Sequence, residues 1–207
     1  HFTTIADMGL PTVMYNVPGR TASNMEDATI ATLARHPNIV GIKDATGDLS
    51  RLNSLKNALG GGSDVDDFLF LSGDDGTTKD FILLGGDGCI SVTANVVPHM
   101  MAEMTHAALR GDVTRANELD ELLALLHKKL FVESNPIGCK WAAKRIGLID
   151  TDYCRPPLAK MDPKFGAAVD EALAQAGFLG VSRLDHMLET HDDYILPDEE
   201  RVHDLFA

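Results

Sequence analysis

A parallel α/β fold, four strand–helix units followed by a purely helical region, is what the 207-residue sequence predicts, and three observations carry that expectation. Four short apolar runs rich in β-branched and aromatic residues begin 27, 29 and 21 residues apart. The segments between them carry helix start and stop signals, and after the fourth run only helical patterning continues. A strand, a crossover helix and two loops consume about 30 residues in a (β/α)8 barrel, so the spacing fits half of such a barrel with a helical appendage. An open, four-stranded doubly wound sheet fits the same pattern, and the pattern alone leaves both open.

The four strands are expected at 12–17, 39–43, 68–72 and 89–94. Between the first two, Ser23 and Glu26 form a capping-box pair, Ile30, Leu33 and Ala34 supply an apolar stripe, and His36-Pro37 stops the helix. Asp48 is placed to cap the next helix, whose Leu49, Leu52, Leu55 and Leu59 share one face and which ends at Gly60-Gly61-Gly62. A third helix spans 77–84 and ends at Gly85-Gly86. Beyond the fourth strand, helices are expected at 97–110, at 113–132 with Leu119, Leu122, Leu126 and Leu130 as its stripe, at 136–146 behind an Asn135-Pro136 start, and at 164–176.

Composition narrows the function classes. With 18 Lys+Arg against 31 Asp+Glu and a net charge of -13, the chain lacks the clustered cations that phosphate backbones require, so no nucleic-acid partner is expected. Residues 181–207 hold eight acids and two bases and form an acidic tail with its own character. Cys89, Cys139 and Cys154 are odd in number and widely spaced, which excludes a disulfide framework and favours a reducing cytoplasm. The eight histidines show no metal-ligand spacing, no apolar run suits a membrane span, and the glycine pairs match no phosphate-binding loop. The chain opens at His1 without a Met, so its start reads as a fragment boundary.

In parallel α/β folds the carboxyl ends of the strands carry the chemistry, and each run here ends in polar or turn-forming residues. Lys43 closes an apolar strand, where desolvation disfavours its ammonium and supplies a neutral amine able to attack a carbonyl. A strand-end lysine paired with an acid is the alternative. Tyr15 ends the first strand as a candidate proton shuttle or as a core tyrosine, and Arg20 follows a Pro18-Gly19 turn, as a carboxylate fork or as a surface ion pair.

These residues lie in stretches that resemble the dihydrodipicolinate synthase family: YNVPGRT at 15–21, GIKDATG at 41–47, LSGDD at 71–75, GCISVTAN at 88–95, and KLFVESNPI at 129–137 with KWA at 140–142. The resemblance runs over about residues 1–180. It implies a TIM (β/α)8 barrel of which only the last four βα units are present, with residues 1–96 as the barrel half, 97–180 as its last helix and a C-terminal helical domain, and 181–207 as a tail extension. It implies a Schiff-base lyase that condenses pyruvate with aspartate 4-semialdehyde in lysine and diaminopimelate biosynthesis. Lys43 would form the imine with pyruvate, Tyr15 would relay protons, Arg20 would bind the semialdehyde carboxylate, Ile90 would contact pyruvate through its backbone, and Gly73 would lie in the loop beside it. No metal or organic cofactor is implied, and the enzyme is expected as a cytoplasmic homo-oligomer, dimer or tetramer. The family also uses a threonine from an earlier strand and a second tyrosine from a neighbouring subunit, and neither is in this sequence. Sialic-acid and keto-deoxy-sugar lyases share the lysine and tyrosine, and a non-catalytic half barrel with unpaired sheet edges is the alternative of another class.

Overall fold

The computed structural model describes residues 1–60 and 67–179. Helix α1 (Phe2–Ala6) leads into strand β1 (Thr12–Asn16), a short helix α2 (Pro18–Thr21) and α3 (Asp27–Leu33). Then come β2 (Ile39–Asp44), α4 (Ser50–Leu59), β3 (Leu69–Ser72), α5 (Thr78–Leu83) and β4 (Gly88–Cys89). Helices α6 (Pro98–Leu109), α7 (Val113–Lys129), α8 (Ile137–Arg145) and α9 (Gly166–Gln175) follow.

All strand pairs are parallel and the order is β1-β2-β3-β4, each strand beside its sequence neighbour. That order decides between the two expected architectures. A doubly wound sheet reverses its strand order at a switch point, whereas successive right-handed crossovers that keep advancing put every helix on the same face, as in a barrel wall. Burial agrees: Met14, Ile42 and Phe70 pack with Ile30, Ala34, Leu52, Leu55 and Phe81 into one buried cluster between the strands and α3, α4 and α5. The opposite face carries Val13, Tyr15, Lys43 and Leu71 and is more open, with Val13 and Tyr15 exposed. Among the described residues β1 pairs only with β2 and β4 only with β3, so both outer edges are unpaired.

Gly41 sits in the strand row between Val13 and Leu69. A Cβ there would fall 2.7 Å from the Leu69 carbonyl oxygen and 2.9 Å from its Cβ, so only glycine lets β2 and β3 approach this closely.

Three local expectations change. The Ser23/Glu26 capping box does not form: Glu26 is the residue before α3, and residues 23–26 stay outside the helix, where Asn16 Oδ1 accepts the Met25 N–H at 3.1 Å. The fourth strand is two residues long, because Val92 and Thr93 give their N–H groups to the Asp75 carboxylate and turn into a 3₁₀ segment at Thr93–Asn95. Asn135-Pro136 does not cap α8 with a side chain; the Ile137 N–H donates instead to the Ser134 carbonyl. The Asp48 expectation holds, since its carboxylate accepts from the Ser50 N–H and hydroxyl at the start of α4. Gly60 ends that helix in a left-handed turn, φ +85°, where glycine carries no Cβ penalty. Gly61, Gly62 and the acidic tail lie outside the described residues.

Helices α6 to α9 pack around Met101, Met104, Leu119, Leu123, Leu126, Leu130, Ala142 and Leu173. On α7 the buried stripe is Leu119, Leu123, Leu126 and Leu130, while Leu122 is exposed. The leucine at 123, four residues beyond Leu119, is the one that faces the core.

Candidate active site

Strand register builds the site. Tyr15 pairs with Lys43, and Lys43 with Leu71, so tyrosine and lysine stand side by side on the open face. Lys43 Nζ lies 4.2 Å from the centre of the Tyr15 ring, over its face. Lys43 is half-buried on the open face of the sheet. The side chain is held from one flank by Gly73, where an added Cβ would come within 2.9 Å of Lys43 Cε and 2.8 Å of Ala45 Cβ. Gly73 in turn donates its N–H to the Asp44 carbonyl at 2.7 Å, which continues the sheet one step past β3. Ile90 does the same for β4, donating its N–H to the Ser72 carbonyl at 2.9 Å, and its side chain is exposed. Four of the five expected site residues are therefore gathered at the carboxyl ends of adjacent strands.

Arg20 is the fifth and stands differently. It lies on α2 rather than in a plain turn, exposed, with Nη1 donating to the Ser134 hydroxyl at 2.6 Å. That bond spans 114 positions and ties α2 to the segment before α8. Ser134 had no role from sequence beyond its place in a family stretch; a serine outside any nucleophile context gives no signal that it orients an arginine.

On the helix-facing side of the same strand ends lies a polar network that sequence reasoning missed. Asp44 Oδ2 accepts from Asn16 Nδ2 at 3.0 Å and from Arg51 Nε at 2.8 Å, and its other oxygen caps the Thr46 N–H. Arg51 also pairs with Asp27 and donates to the Met25 carbonyl. Tyr15 and Lys43 thus sit on one side of two strands whose next residues, Asn16 and Asp44, are locked together on the other. The signal was present as Asn and Asp one step past Tyr and Lys, but alternation alone does not say which side is covered.

A cavity of about 300 Å³ lies beyond the β3 turn, lined by Asp74, Asp75, Asp120, Ala124, His127, Lys128 and others, and Lys43 is not part of its lining. His127 is 6% exposed. Burial lowers its pKa below the ordinary 6.5, against the pull of Asp75, Asp120 and Asp74. In the window between that lowered value and 6.5 the unfolded chain binds a proton that the folded chain refuses, so stability falls as pH drops through it. The melting temperature is expected to be lower at about pH 5.5 than at about pH 7.5, and His127→Gln to shrink that difference. Equal pH slopes in the two proteins would contradict this. Among the described residues no group of three or more His, Cys, Asp and Glu is arranged to hold a metal ion.

The sequence model of the Dihydrodipicolinate synthetase family matches residues 1–176. The chain belongs to that family. A curated 4-hydroxy-tetrahydrodipicolinate synthase of Pseudoalteromonas atlantica is 45% identical over 181 residues, covering 86% of this chain and 60% of the relative. The crystal structure of the chloride-inhibited dihydrodipicolinate synthase of Acinetobacter baumannii complexed with pyruvate matches with a TM-score of 0.78 at 42% identity, over 86% of this chain and 60% of that one. A monomeric variant of dihydrodipicolinate synthase matches with a TM-score of 0.80 at 34% identity, over 86% and 59%. The chain therefore spans about 60% of the length of the relatives it matches. Membership of the synthetase family accounts for the advancing strand order as part of a barrel. No described helix is long and apolar enough to cross a membrane.

Proposed function

We propose that the full-length protein is a 4-hydroxy-tetrahydrodipicolinate synthase, a Schiff-base lyase joining pyruvate to aspartate 4-semialdehyde in lysine and diaminopimelate biosynthesis. The observation that carries this reading is the Tyr15–Lys43 pair, an amine held 4.2 Å from the centre of a tyrosine ring at the carboxyl ends of paired strands, within a chain of the synthetase family.

In this reading the Lys43 amine attacks the pyruvate ketone, water leaves, and the protonated imine draws electrons from the neighbouring carbon. Loss of a proton there gives the enamine that adds to the aldehyde. Ring closure by the amino group of the semialdehyde displaces Lys43 and frees it for another turn. Tyr15 relays the protons, so that water departs as a neutral leaving group. The backbones at Gly73 and Ile90 flank the pyruvate end. Arg20, steadied by Ser134, receives the semialdehyde carboxylate as a bidentate fork. The imine is the only covalent device, and no metal or organic cofactor enters the scheme.

Residues 1–96 form the barrel half in this proposal, 97–180 its last helix with a C-terminal helical domain, and 181–207 a tail extension. A homo-oligomer, dimer or tetramer, working in the cytoplasm completes the reading.

Two assays on the full-length protein test the proposal. Turnover with pyruvate and aspartate semialdehyde, and none with pyruvate and sugar aldehydes, is the expected outcome; the reverse assigns a sugar-acid lyase. Arg20→Ala is expected to raise the KM for the semialdehyde by about tenfold to a hundredfold, the loss of a charge-assisted pair, while leaving the KM for pyruvate within about twofold. An equal rise in both constants would remove Arg20 from this role.

A further inference from the structure

The turn after β3 that contains Gly73 packs against Lys43, the stretch after β4 that contains Ile90 lies one strand further on, and one buried carboxylate joins the two. Strand β4 is only two residues long, so beyond the Ile90 bond to Ser72 its ladder does not hold the stretch in place. Asp75, 4% exposed, does so from the β3 side. Its Oδ2 accepts the Val92 N–H at 3.1 Å, the Thr93 N–H at 2.8 Å and the Thr93 hydroxyl at 2.9 Å.

The next link follows from proton counting. Thr93 Oγ1 lies 2.8 Å from His127 Nδ1. A hydroxyl has one proton and a carboxylate only accepts, so Thr93 gives its proton to Asp75 and must receive one from His127. The imidazole is therefore the Nδ1–H form, and Nε2 carries the lone pair. That Nε2 is buried and has no hydrogen-bond partner among the described residues. His127 on α7, Thr93 after β4 and Asp75 after β3 make a directed chain with every proton assigned, ending on the anion that grips the Ile90 stretch.

We propose that Asp75, aligned through Thr93 by His127, is a positioning residue for pyruvate: it fixes the Ile90 stretch against the Gly73 turn that packs on Lys43. The inference rests on the reading of the Lys43 site as a pyruvate site. Asp75 touches neither Lys43 nor Tyr15 in the hydrogen-bond network, so its effect is on where pyruvate is held and not on the nucleophile itself.

The test uses the full-length protein and two variants. Asp75→Ala is expected to raise the pyruvate KM by about tenfold or more, the worth of charge-assisted hydrogen bonds, with the semialdehyde KM within about twofold and the imine on Lys43 still trapped at saturating pyruvate. Thr93→Val cuts the link to His127 while sparing the two backbone bonds to Asp75; it is expected to give a smaller rise in pyruvate KM and to change the imidazole ¹⁵N pattern of His127, and Thr93→Ser is expected to restore both. Folded variants whose pyruvate KM is unchanged, or whose two KM values and kcat shift together, overturn the proposal. A wild-type His127 in the Nε2–H form overturns the relay even where the imine forms. Loss of the imine in the wild type, with His127 still Nδ1–H, places the failure in the reading of Lys43 instead.

Discussion

Replacing Lys43 with alanine in the full-length protein is expected to lower turnover by at least about a thousandfold, because the proposed chemistry has no covalent route without a primary amine at this point. Lys43→Arg is expected to fail as badly. A guanidinium keeps its proton at all working pH values and cannot attack a ketone, although it retains the length and charge of the side chain. Neither change should unfold the protein, since Lys43 is half-buried on the open side of the sheet and the clusters that hold the strands lie on the other side. Near-ultraviolet circular dichroism matching the wild type, beside lost turnover, is the outcome that assigns the effect to chemistry. Retention of a tenth or more of the activity in either variant would remove Lys43 from the role of nucleophile.

Asp44→Ala is expected to have the largest effect on stability, about 3–5 kcal/mol, the usual consequence of removing one partner from a buried ion pair. The Asp44 side chain is 7% exposed and that of Arg51 13%. Without the carboxylate, Arg51 keeps Asp27 and the Met25 carbonyl but loses its shortest ion pair, and Asn16 loses the acceptor that ties β1 to β2. The cost arises mainly from the groups left behind, so the double variant Asp44→Ala/Arg51→Met should be less destabilised than the sum of the two single changes. Denaturant midpoints of the four proteins measure this directly. Strict additivity would mean that the two side chains do not depend on each other. Because Asn16 and Asp44 directly follow Tyr15 and Lys43, Asp44→Ala should also reduce activity in the fraction that remains folded.

What was legible in the sequence, and what was not, divides along physical lines. Strand and helix order could be read because buried runs and capping residues are local patterns: Ile39 to Lys43 and the leucines of α4 fall where expected, with Leu52 and Leu55 buried. The ends of elements could not, where a distant side chain captures the backbone. Asn16 holds Met25 out of α3, and Asp75 turns Val92 and Thr93 out of β4. Neither donor–acceptor pair has a sequence spacing that marks it. Tyr15 and Lys43 could be singled out as reactive types at strand ends, but only register shows them adjacent, and only strand order decides between a barrel wall and a doubly wound sheet. Ser134 beside Arg20 and His127 behind Thr93 lie far from their partners along the chain, and single residues of ordinary type carry no signal for such contacts.

In the proposed reaction Lys43 carries pyruvate as an imine. Borohydride reduction of the full-length protein in the presence of pyruvate, followed by peptide mapping by mass spectrometry, tests it most directly. The expected result is a single reduced pyruvate adduct on the peptide containing Lys43, dependent on both pyruvate and borohydride and absent from Lys43→Ala. A label on another lysine, or no label while the wild type turns over, would contradict it.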